Sequence, residues 1–131
     1  MTAKITRLPL SDFQKSRAFS PAVITEGGKT VWLAGVTTTT DESGADIVYD
    51  FEAQAHEIFR LMDTTLQRCG GSLANLVTMT VFINDPRYGD PFVKLRATKF
   101  ANEQYPASAL ITVSHFARPG IMLEIQGVAV I

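Results

Sequence analysis

The amino-acid sequence predicts an α+β fold, and three features of the chain support this class. Apolar side chains recur at spacings of three and four over residues 50–69, which is typical of an amphipathic helix. Residues 76–85, LVTMTVFIND, alternate between the two sides of an extended chain, which is typical of a strand. The complete order of predicted elements is β-β-β-α-β-α-β-β, in which two helices suffice to cover only one face of a sheet.

The two predicted helices have signals at their ends. Asp50 is a suitable N-cap for the first helix, and Gly70-Gly71 follows its expected end near Cys69. The second helix is expected to start at Asp90-Pro91, an N-cap followed by proline at the first helical position, and to reach about Glu103. The apolar stripe of the first helix consists of Phe51, Ala55, Ile58, Met62, Leu66 and Cys69.

The strands are predicted from turns and from alternation. Residues 22–36 indicate two strands joined as a tight hairpin, because the paired glycines Gly27 and Gly28 supply the positive φ that such a turn needs. Two last strands are expected near residues 108–114 and 121–130. In the strand over residues 76–85, the side chains expected to share the inner face are Val77, Met79, Val81 and Ile83.

Length and composition restrict the class of protein. The chain has 131 residues, of which 46% are apolar and 19% charged, so we expect one domain over residues 1–131. Its net charge of −1 and the absence of a basic run predict no nucleic-acid partner. No apolar run approaches the roughly 20 residues of a membrane span. The first residues lack the apolar segment of a signal peptide, so the predicted location is the cytoplasm.

Motifs for metals and organic cofactors are also missing from the sequence. His56 and His115 have no partners at ligand spacing, so we predict no metal site. The sequence contains no phosphate loop, nucleophile elbow or dinucleotide fingerprint. His115 follows a strand, where site residues often occur, but a histidine without a role in a site is the favoured interpretation.

One carboxylate stands inside the most apolar segment of the chain. Residues 120–131, GIMLEIQGVAVI, read as a strand that is apolar on both faces, with Glu124 in the middle. An unpaired buried carboxylate is costly, so Glu124 should be paired, shifted in pKa or functional. If Ile121, Leu123 and Ile125 meet the helices, Glu124 points away from them. A second copy of the chain is the simplest cover for that face.

Two loop arginines are candidates for binding an anion. Arg87 lies in the turn NDPRYGDP, and Arg118 lies six residues before Glu124. Both loops flank strands that would border a cleft near Glu124. A solvated arginine without a ligand is the alternative at both positions.

Several stretches together resemble the Rid (reactive intermediate deaminase) family, also called YjgF or endoribonuclease L-PSP-like. These stretches cover nearly the whole chain and are FSPAV (19–23), VWLAG (31–35), TVFIND (80–85) and YPASALITVSHFARPGIMLEIQGVAV (105–130). The resemblance implies a chorismate-mutase-like fold and a homotrimer with small-molecule clefts between subunits. It also implies hydrolysis of reactive enamines or imines to a keto acid and ammonia, with no metal or organic cofactor.

The resemblance assigns roles to particular residues. Glu124 falls on the family's motif glutamate, which positions and polarises the attacking water, a role that suits a carboxylate. Phe19 matches an aromatic position at the cleft wall, and Gly35 matches a glycine that approaches the ligand closely. Ser108 and Ala109 occupy positions that contact the substrate.

The main departure from the family pattern is at Ser108. Deaminating members read Pro-Ala-Arg-Ser, and the arginine binds the substrate carboxylate, whereas this chain reads Pro106-Ala107-Ser108-Ala109. Loss of that charge-assisted contact removes about 1.5–3 kcal/mol of binding unless Arg118 or Arg87 replaces it. The sequence therefore leaves three functions open: an imine or enamine hydrolase, a non-catalytic binder of a small carboxylate, and the endoribonuclease or translation-inhibitor activity attributed to the family.

Overall fold

The computed structural model describes residues 2–131 and confirms the α+β class. Six strands and three α-helices follow one another along the chain, with single 3₁₀ turns between some of them. In chain order, the elements are β1 (Lys4–Arg7), α1 (Asp12–Arg17), β2 (Val23–Glu26), β3 (Thr30–Trp32), α2 (Phe51–Arg68), β4 (Leu76–Ile83), α3 (Gly89–Ala97), β5 (Ala107–Thr112) and β6 (Leu123–Val130). The short helix α1 was not predicted, and otherwise the order agrees with the sequence pattern.

The main sheet has four strands in the order β3-β6-β4-β5. Strand β4 is antiparallel to β6 and parallel to β5. Strands β1 and β2 form a separate antiparallel ribbon, which a parallel bridge between Ser20 and Ala107 links to the outer edge of β5. Two helices pack on one face of the main sheet, as predicted.

The long helix α2 begins where the sequence indicates. Asp50 is its N-cap and accepts a hydrogen bond from the Ala53 backbone nitrogen at 3.1 Å. The apolar stripe is buried as predicted, except at its last position. Cys69 is the C-cap residue and is exposed, because the helix turns it away from the core at its final turn. The buried members of the stripe are Phe51, Ala55, Ile58, Met62 and Leu66.

Strand β4 confirms the predicted alternation, with a correction at its start. The side chains of Met79, Val81 and Ile83 are buried under the helices. A β-bulge between Leu76 and Thr78 changes the register, so Leu76 is fully buried and Val77 is only half-buried. An extra residue of this kind switches the face of every side chain before it, which the alternation alone did not show.

The predicted hairpin over residues 22–36 is wrong. Gly27 and Gly28 do form a turn, with φ values of 66° and 75°. The strands on either side, however, do not pair with each other, because β2 joins β1 while β3 joins β6. The turn therefore carries the chain from the ribbon to the main sheet.

The second long helix and the last strands are shorter than predicted. Helix α3 covers nine residues and ends at Ala97, and Glu103 belongs to a separate 3₁₀ turn. Asp90 lies inside the first turn and not at the N-cap, and its carboxylate pairs with Arg17 at 2.6 Å. Strand β5 ends at Thr112 and strand β6 begins at Leu123, which leaves a ten-residue loop between them.

The face of the main sheet opposite the helices is open. Cross-strand pairing places Trp32 beside Val128 on this face, and 78% of the Trp32 surface is exposed. Within residues 2–131, no helix combines the length and apolarity needed to cross a bilayer.

Candidate active site

Glu124 lies on the open face of the main sheet, as the sequence pattern predicted. Its neighbours along β6, Leu123 and Ile125, are fully buried toward the helices, whereas Glu124 itself is half-buried. In the adjacent strand β4 it is paired with Phe82. Among residues 2–131, no lysine, arginine or histidine nitrogen lies within 4.0 Å of the Glu124 carboxylate. The described part of the chain thus supplies no counter-cation to this carboxylate.

The approach to β6 departs from strict alternation. Ile121 and Met122 are both buried, although consecutive strand residues would face opposite ways. The strand starts only at Leu123, and the Met122 backbone nitrogen donates to Gln54 Oε1 at 2.9 Å. Met122 therefore belongs to the core and not to the face of Glu124, contrary to the sequence pattern.

Gly35 lies directly against Glu124. The segment that contains Gly35 is held beside β6 by a bridge between Val36 and Ile125, whose backbone nitrogens and oxygens bond at 2.8 and 3.2 Å. A Cβ atom on Gly35 would overlap Glu124 Oε2 and lie 3.0 Å from its Cδ. Because Gly35 has no side chain, the Glu124 carboxylate has room to lie against it.

Arg118 stands between two cavities near the start of β6. One cavity of about 290 Å³ is lined by Thr37–Thr40, Ala117, Arg118 and Ile121. Arg118 Nη2 donates to Thr39 Oγ1 at 3.3 Å, and no carboxylate of residues 2–131 lies within 4.0 Å of the Arg118 guanidinium. Thr37, which lines this cavity, is two residues after Gly35 in the chain. Arg118 is therefore a cation for which residues 2–131 supply no acidic partner.

The second cavity, of about 370 Å³, shares Arg118. It is lined by Tyr49, Asn84, Ser114, His115, Phe116, Arg118, Pro119, Gly120 and Ile121. The Asn84 side-chain oxygen is buried without a hydrogen-bond partner. His115, the histidine that sequence analysis left open, is exposed and lines this cavity.

Arg87 has a different environment from Arg118. Its guanidinium binds the Asp85 carboxylate through two nitrogens, at 2.6 Å from Nη2 and 3.1 Å from Nε. The contact with Asp85 raises the pKa of Arg87 and lowers the pKa of Asp85. The charge of Arg87 is thus offset by its neighbour, which makes it the weaker of the two candidates for binding an anion.

Ser108 contacts an arginine that sequence analysis missed. In β5, Ser108 is aligned with Met79 and shares the helix-covered face. There Arg96 Nη1 donates to Ser108 Oγ at 2.6 Å, and Arg96 Nη2 donates to the Arg17 carbonyl oxygen at 2.9 Å. Arg96 is only 2% exposed, and burial lowers its pKa to about 10. Arg96 lies four residues after the buried Phe92 in α3, and this spacing was the signal in the sequence that could have indicated its burial.

Phe19 lies at the same sheet edge as Ser108. It directly precedes Ser20, whose backbone nitrogen donates to the Pro106 carbonyl at 3.0 Å. Phe19 is half-buried and makes an edge-to-face contact with Phe13, which is 67% exposed. Ala109, next to Ser108, points to the open face and is exposed.

Apart from Arg87, Arg118 and Ala109, the predicted site residues form two groups within one chain. Phe19, Ser108 and the newly found Arg96 lie at the β5 edge, whereas Glu124 and Gly35 lie on the open face of β6. Ser108 is aligned with Met79 and hence with Gly127, three residues along β6 from Glu124. From strand dimensions, the two groups are about 10 Å apart along the strands and about 10 Å apart across them, on opposite faces. Within one protomer, a small molecule cannot contact both groups.

A third cavity lies between the two long helices. This groove between α2 and α3 has a volume of about 360 Å³ and is lined mainly by apolar atoms. His56 lines it, and its Nδ1 lies 3.0 Å from Lys99 Nζ. Among residues 2–131, no three histidine, cysteine, aspartate or glutamate side chains are grouped as metal ligands, here or elsewhere.

Comparison with known proteins adds a family and a fold. The family model described as "Endoribonuclease L-PSP" matches residues 10–131. A protein of unknown function of the Rid family from Yersinia pestis, YyfB, has a structure with a TM-score of 0.83 at 19% identity, and the match covers 100% of both chains. A member of the YjgF/YER057c/UK114 family from Mycobacterium tuberculosis gives a TM-score of 0.68 at 24% identity over 98% of this chain and 100% of that one.

A yeast structure extends this comparison. Yeast Mmf1 gives a TM-score of 0.69 at 20% identity, and the match covers 97% of this chain and 98% of that one. At these identities the structural matches establish a shared fold. They extend over nearly the whole length of each chain.

Proposed function

Because the chain belongs to the endoribonuclease L-PSP family, also called the Rid or YjgF family, we propose that it hydrolyses a small imine or enamine in a cleft between subunits. The observation that carries this proposal is the environment of Glu124. Its carboxylate is half-buried, has no counter-cation within 4.0 Å among residues 2–131, and is held against Gly35 on the open sheet face. A carboxylate in this setting can accept a proton from a water molecule within hydrogen-bond reach.

The chemistry requires only water besides the substrate. Glu124 accepts a proton from the water as the water oxygen attacks the imine carbon, and it passes that proton to the nitrogen to give a neutral carbinolamine. Glu124 then transfers the proton of the new hydroxyl to the amino nitrogen, which expels ammonia, leaves a carbonyl group and returns Glu124 to its ionised form. One imine and one water thus yield one ketone, or keto acid, and one ammonia. An enamine enters the same sequence after protonation of its carbon to the imine.

The separation of the two residue groups supports a site that includes a second copy of the chain. Glu124 and Ser108 lie too far apart, and on opposite faces, to contact one small ligand within a protomer. The open face exposes Trp32, an aromatic side chain of the kind enriched at protein interfaces. We propose a homotrimer in which the β5 edge of one copy meets the open face of the next.

A non-catalytic carboxylate binder is the second candidate function. Ser108 favours it, because the bidentate arginine that deaminating members carry here fixes the orientation of the substrate for attack, and a single hydroxyl fixes that orientation less well. Such a binder keeps the cleft but does not use Glu124 as a base. The family model's description also names an endoribonuclease, but the net charge of −1 does not favour RNA binding.

One assay separates these candidates. Threonine dehydratase generates 2-iminobutyrate from threonine, and its decay to 2-oxobutyrate can be followed with and without this protein. We expect slow but measurable acceleration by the wild type and none by Glu124→Gln, which keeps the shape of the side chain and removes the base. Equal acceleration by wild type and variant would refute the role of Glu124. If the wild type binds 2-oxobutyrate without accelerating the decay, the binder is correct.

A further inference from the structure

Arg96 is a buried cation without a compensating anion. Only 2% of its surface is exposed, and no carboxylate among residues 2–131 lies within 4.0 Å of its guanidinium. Its hydrogen-bond acceptors are both neutral, the Ser108 hydroxyl and the Arg17 carbonyl, and its Nε is buried without a partner. Its guanidinium carbon also lies 5.2 Å from the centre of the Phe92 ring. A buried charge with only neutral partners is costly, so an anion placed nearby would be strongly favoured.

The acidic residue that these contacts bring near Arg96 is Asp90, and its carboxylate already pairs with another arginine. Arg17, whose carbonyl accepts from Arg96, pairs through its own side chain with Asp90 at 2.6 Å. The positive charge of Arg17 adds to burial in lowering the pKa of Arg96. With a pKa of about 10, Arg96 is still charged at neutral pH. Its charge is therefore left for an external anion.

Ser108 connects the buried guanidinium of Arg96 with the protein surface, because it bonds to Arg96 and is itself only half-buried. Its Oγ accepts the short bond from Arg96, so its own O–H points elsewhere. The only other hydrogen bond of Ser108 Oγ within residues 2–131 is a long one, which it donates to the Ala109 carbonyl at 3.4 Å, and Ser108 is half-buried rather than buried. A hydroxyl that accepts from a cation becomes a stronger donor, because hydrogen bonds in a chain polarise one another.

We propose that Ser108 and Arg96 form an anion subsite at the β5 edge, where Ser108 donates to a ligand carboxylate and Arg96 supplies the charge behind it. This subsite rests on the proposed function for its ligand, a small 2-keto or 2-imino acid. Ser108 is the residue that touches the ligand, and Arg96 positions and polarises it. A single hydroxyl contacts only one carboxylate oxygen. This subsite therefore selects for the charge of the ligand but fixes the orientation of the ligand less well than a bidentate arginine would.

A purely structural role for Arg96 makes a different prediction. Arg96 joins the end of α1 to β5 through its two bonds, and a residue with only that role would affect stability. Its replacement would then change the affinities for charged and neutral ligands equally. The distinguishing quantity is the ratio of affinities for an anionic ligand and its neutral counterpart.

Two probes of matched shape measure this ratio, 2-oxobutyrate and its neutral amide, 2-oxobutanamide. Binding of each is titrated by NMR to the wild type, Arg96→Gln and Arg96→Lys. We expect the wild type to prefer the carboxylate by at least about tenfold. Arg96→Gln, which keeps hydrogen-bond donors but no charge, should lose this preference while its affinity for the amide is unchanged. Arg96→Lys, which keeps the charge, should retain part of the preference.

The outcomes that overturn the subsite are distinct. A wild type that binds both probes equally, or an Arg96→Gln protein with the wild-type preference, shows that Arg96 is structural. If Arg96→Gln does not fold, Ser108→Ala decides, because it must weaken 2-oxobutyrate binding by about tenfold, and unchanged affinity refutes the proposal. Binding is measured without turnover. A protein that prefers the carboxylate through Arg96 but hydrolyses no imine therefore retains the subsite and loses the proposed hydrolase function.

Discussion

The carboxylate of Glu124 lies directly over the α-carbon of Gly35. Any Cβ at position 35 would overlap Glu124 Oε2, so only glycine leaves this carboxylate in its place. The bridge between Val36 and Ile125 fixes both residues in the same short segment of sheet. The position of the proposed base thus depends on a missing side chain in the neighbouring segment.

Gly35→Ala is therefore expected to displace the Glu124 carboxylate and reduce imine hydrolysis at least about tenfold, because small displacements of a catalytic group are costly. Gly89→Ala is the matched control, since its Cβ would meet only Leu110 Cδ2, at an ordinary distance of 3.7 Å. Decay of 2-iminobutyrate measures both variants. Full activity of Gly35→Ala would show that the placement of Glu124 does not matter for turnover.

Ser108→Arg, the substitution that would restore the family pattern, is expected to destabilise this protein. A second guanidinium at position 108 would stand beside the buried Arg96, which now lies 2.6 Å from Ser108 Oγ. We expect a loss of about 1–3 kcal/mol in the free energy of unfolding, measured with urea. Ser108→Arg combined with Arg96→Met should recover most of that loss. No recovery in the double variant would mean that repulsion between the two arginines is not the cause.

Asp50→Ala is expected to cost about 1 kcal/mol of stability, because Asp50 caps α2 through the Ala53 backbone nitrogen. Asp90→Ala provides the comparison. Asp90 makes an exposed ion pair with Arg17 and no cap bond, so its loss should cost about 0.2–1 kcal/mol. Thermal unfolding of the two variants, measured side by side, checks which of them loses more stability. A larger cost at Asp90 would contradict the assignment of the caps.

Gln54→Leu is expected to destabilise the fold by more than about 3 kcal/mol. The Gln54 side chain is fully buried and binds three backbone groups: the carbonyls of Ile47 and Gly120 at 2.9 and 2.7 Å, and the Met122 nitrogen at 2.9 Å. Leucine would leave the Met122 nitrogen without a partner and would remove one bond from each carbonyl, which would keep only the bonds from the Asp50 and Tyr49 backbone nitrogens. Gln67→Leu on the same helix is the control, because Gln67 is exposed and binds only Asp63. Equal unfolding free energies for the two variants would refute this role of Gln54.

Periodicity made much of the fold predictable. Helix α2, the inner side chains of β4 and the outward direction of Glu124 each follow from spacings of three, four or two, which depend only on backbone geometry. Each of these was confirmed by burial, except at Cys69 in α2 and Val77 in β4. The resemblance to the Rid family implied the fold of that family, which the structural comparisons confirm.

Features that depend on distant partners were not predictable. The Gly27-Gly28 turn was correctly located, but a turn does not decide whether its flanking strands pair with each other or with other strands. Arg96 was missed because its importance arises from Ser108 and Arg17, which are far from it in sequence. Gln54 was missed for the same reason, since its partners lie in two loops.

The most direct test of the central claim, a site shared between copies, mixes two inactive variants. Glu124→Gln has an intact β5 edge, and Ser108→Trp has an intact Glu124 face and a blocked edge. After joint unfolding and refolding, random trimers should have about one quarter of their clefts intact, because each cleft takes one residue group from each of two neighbours. We therefore predict that the mixture recovers about one quarter of the wild-type rate of 2-iminobutyrate hydrolysis. A mixture no more active than the separate variants would contradict the shared site.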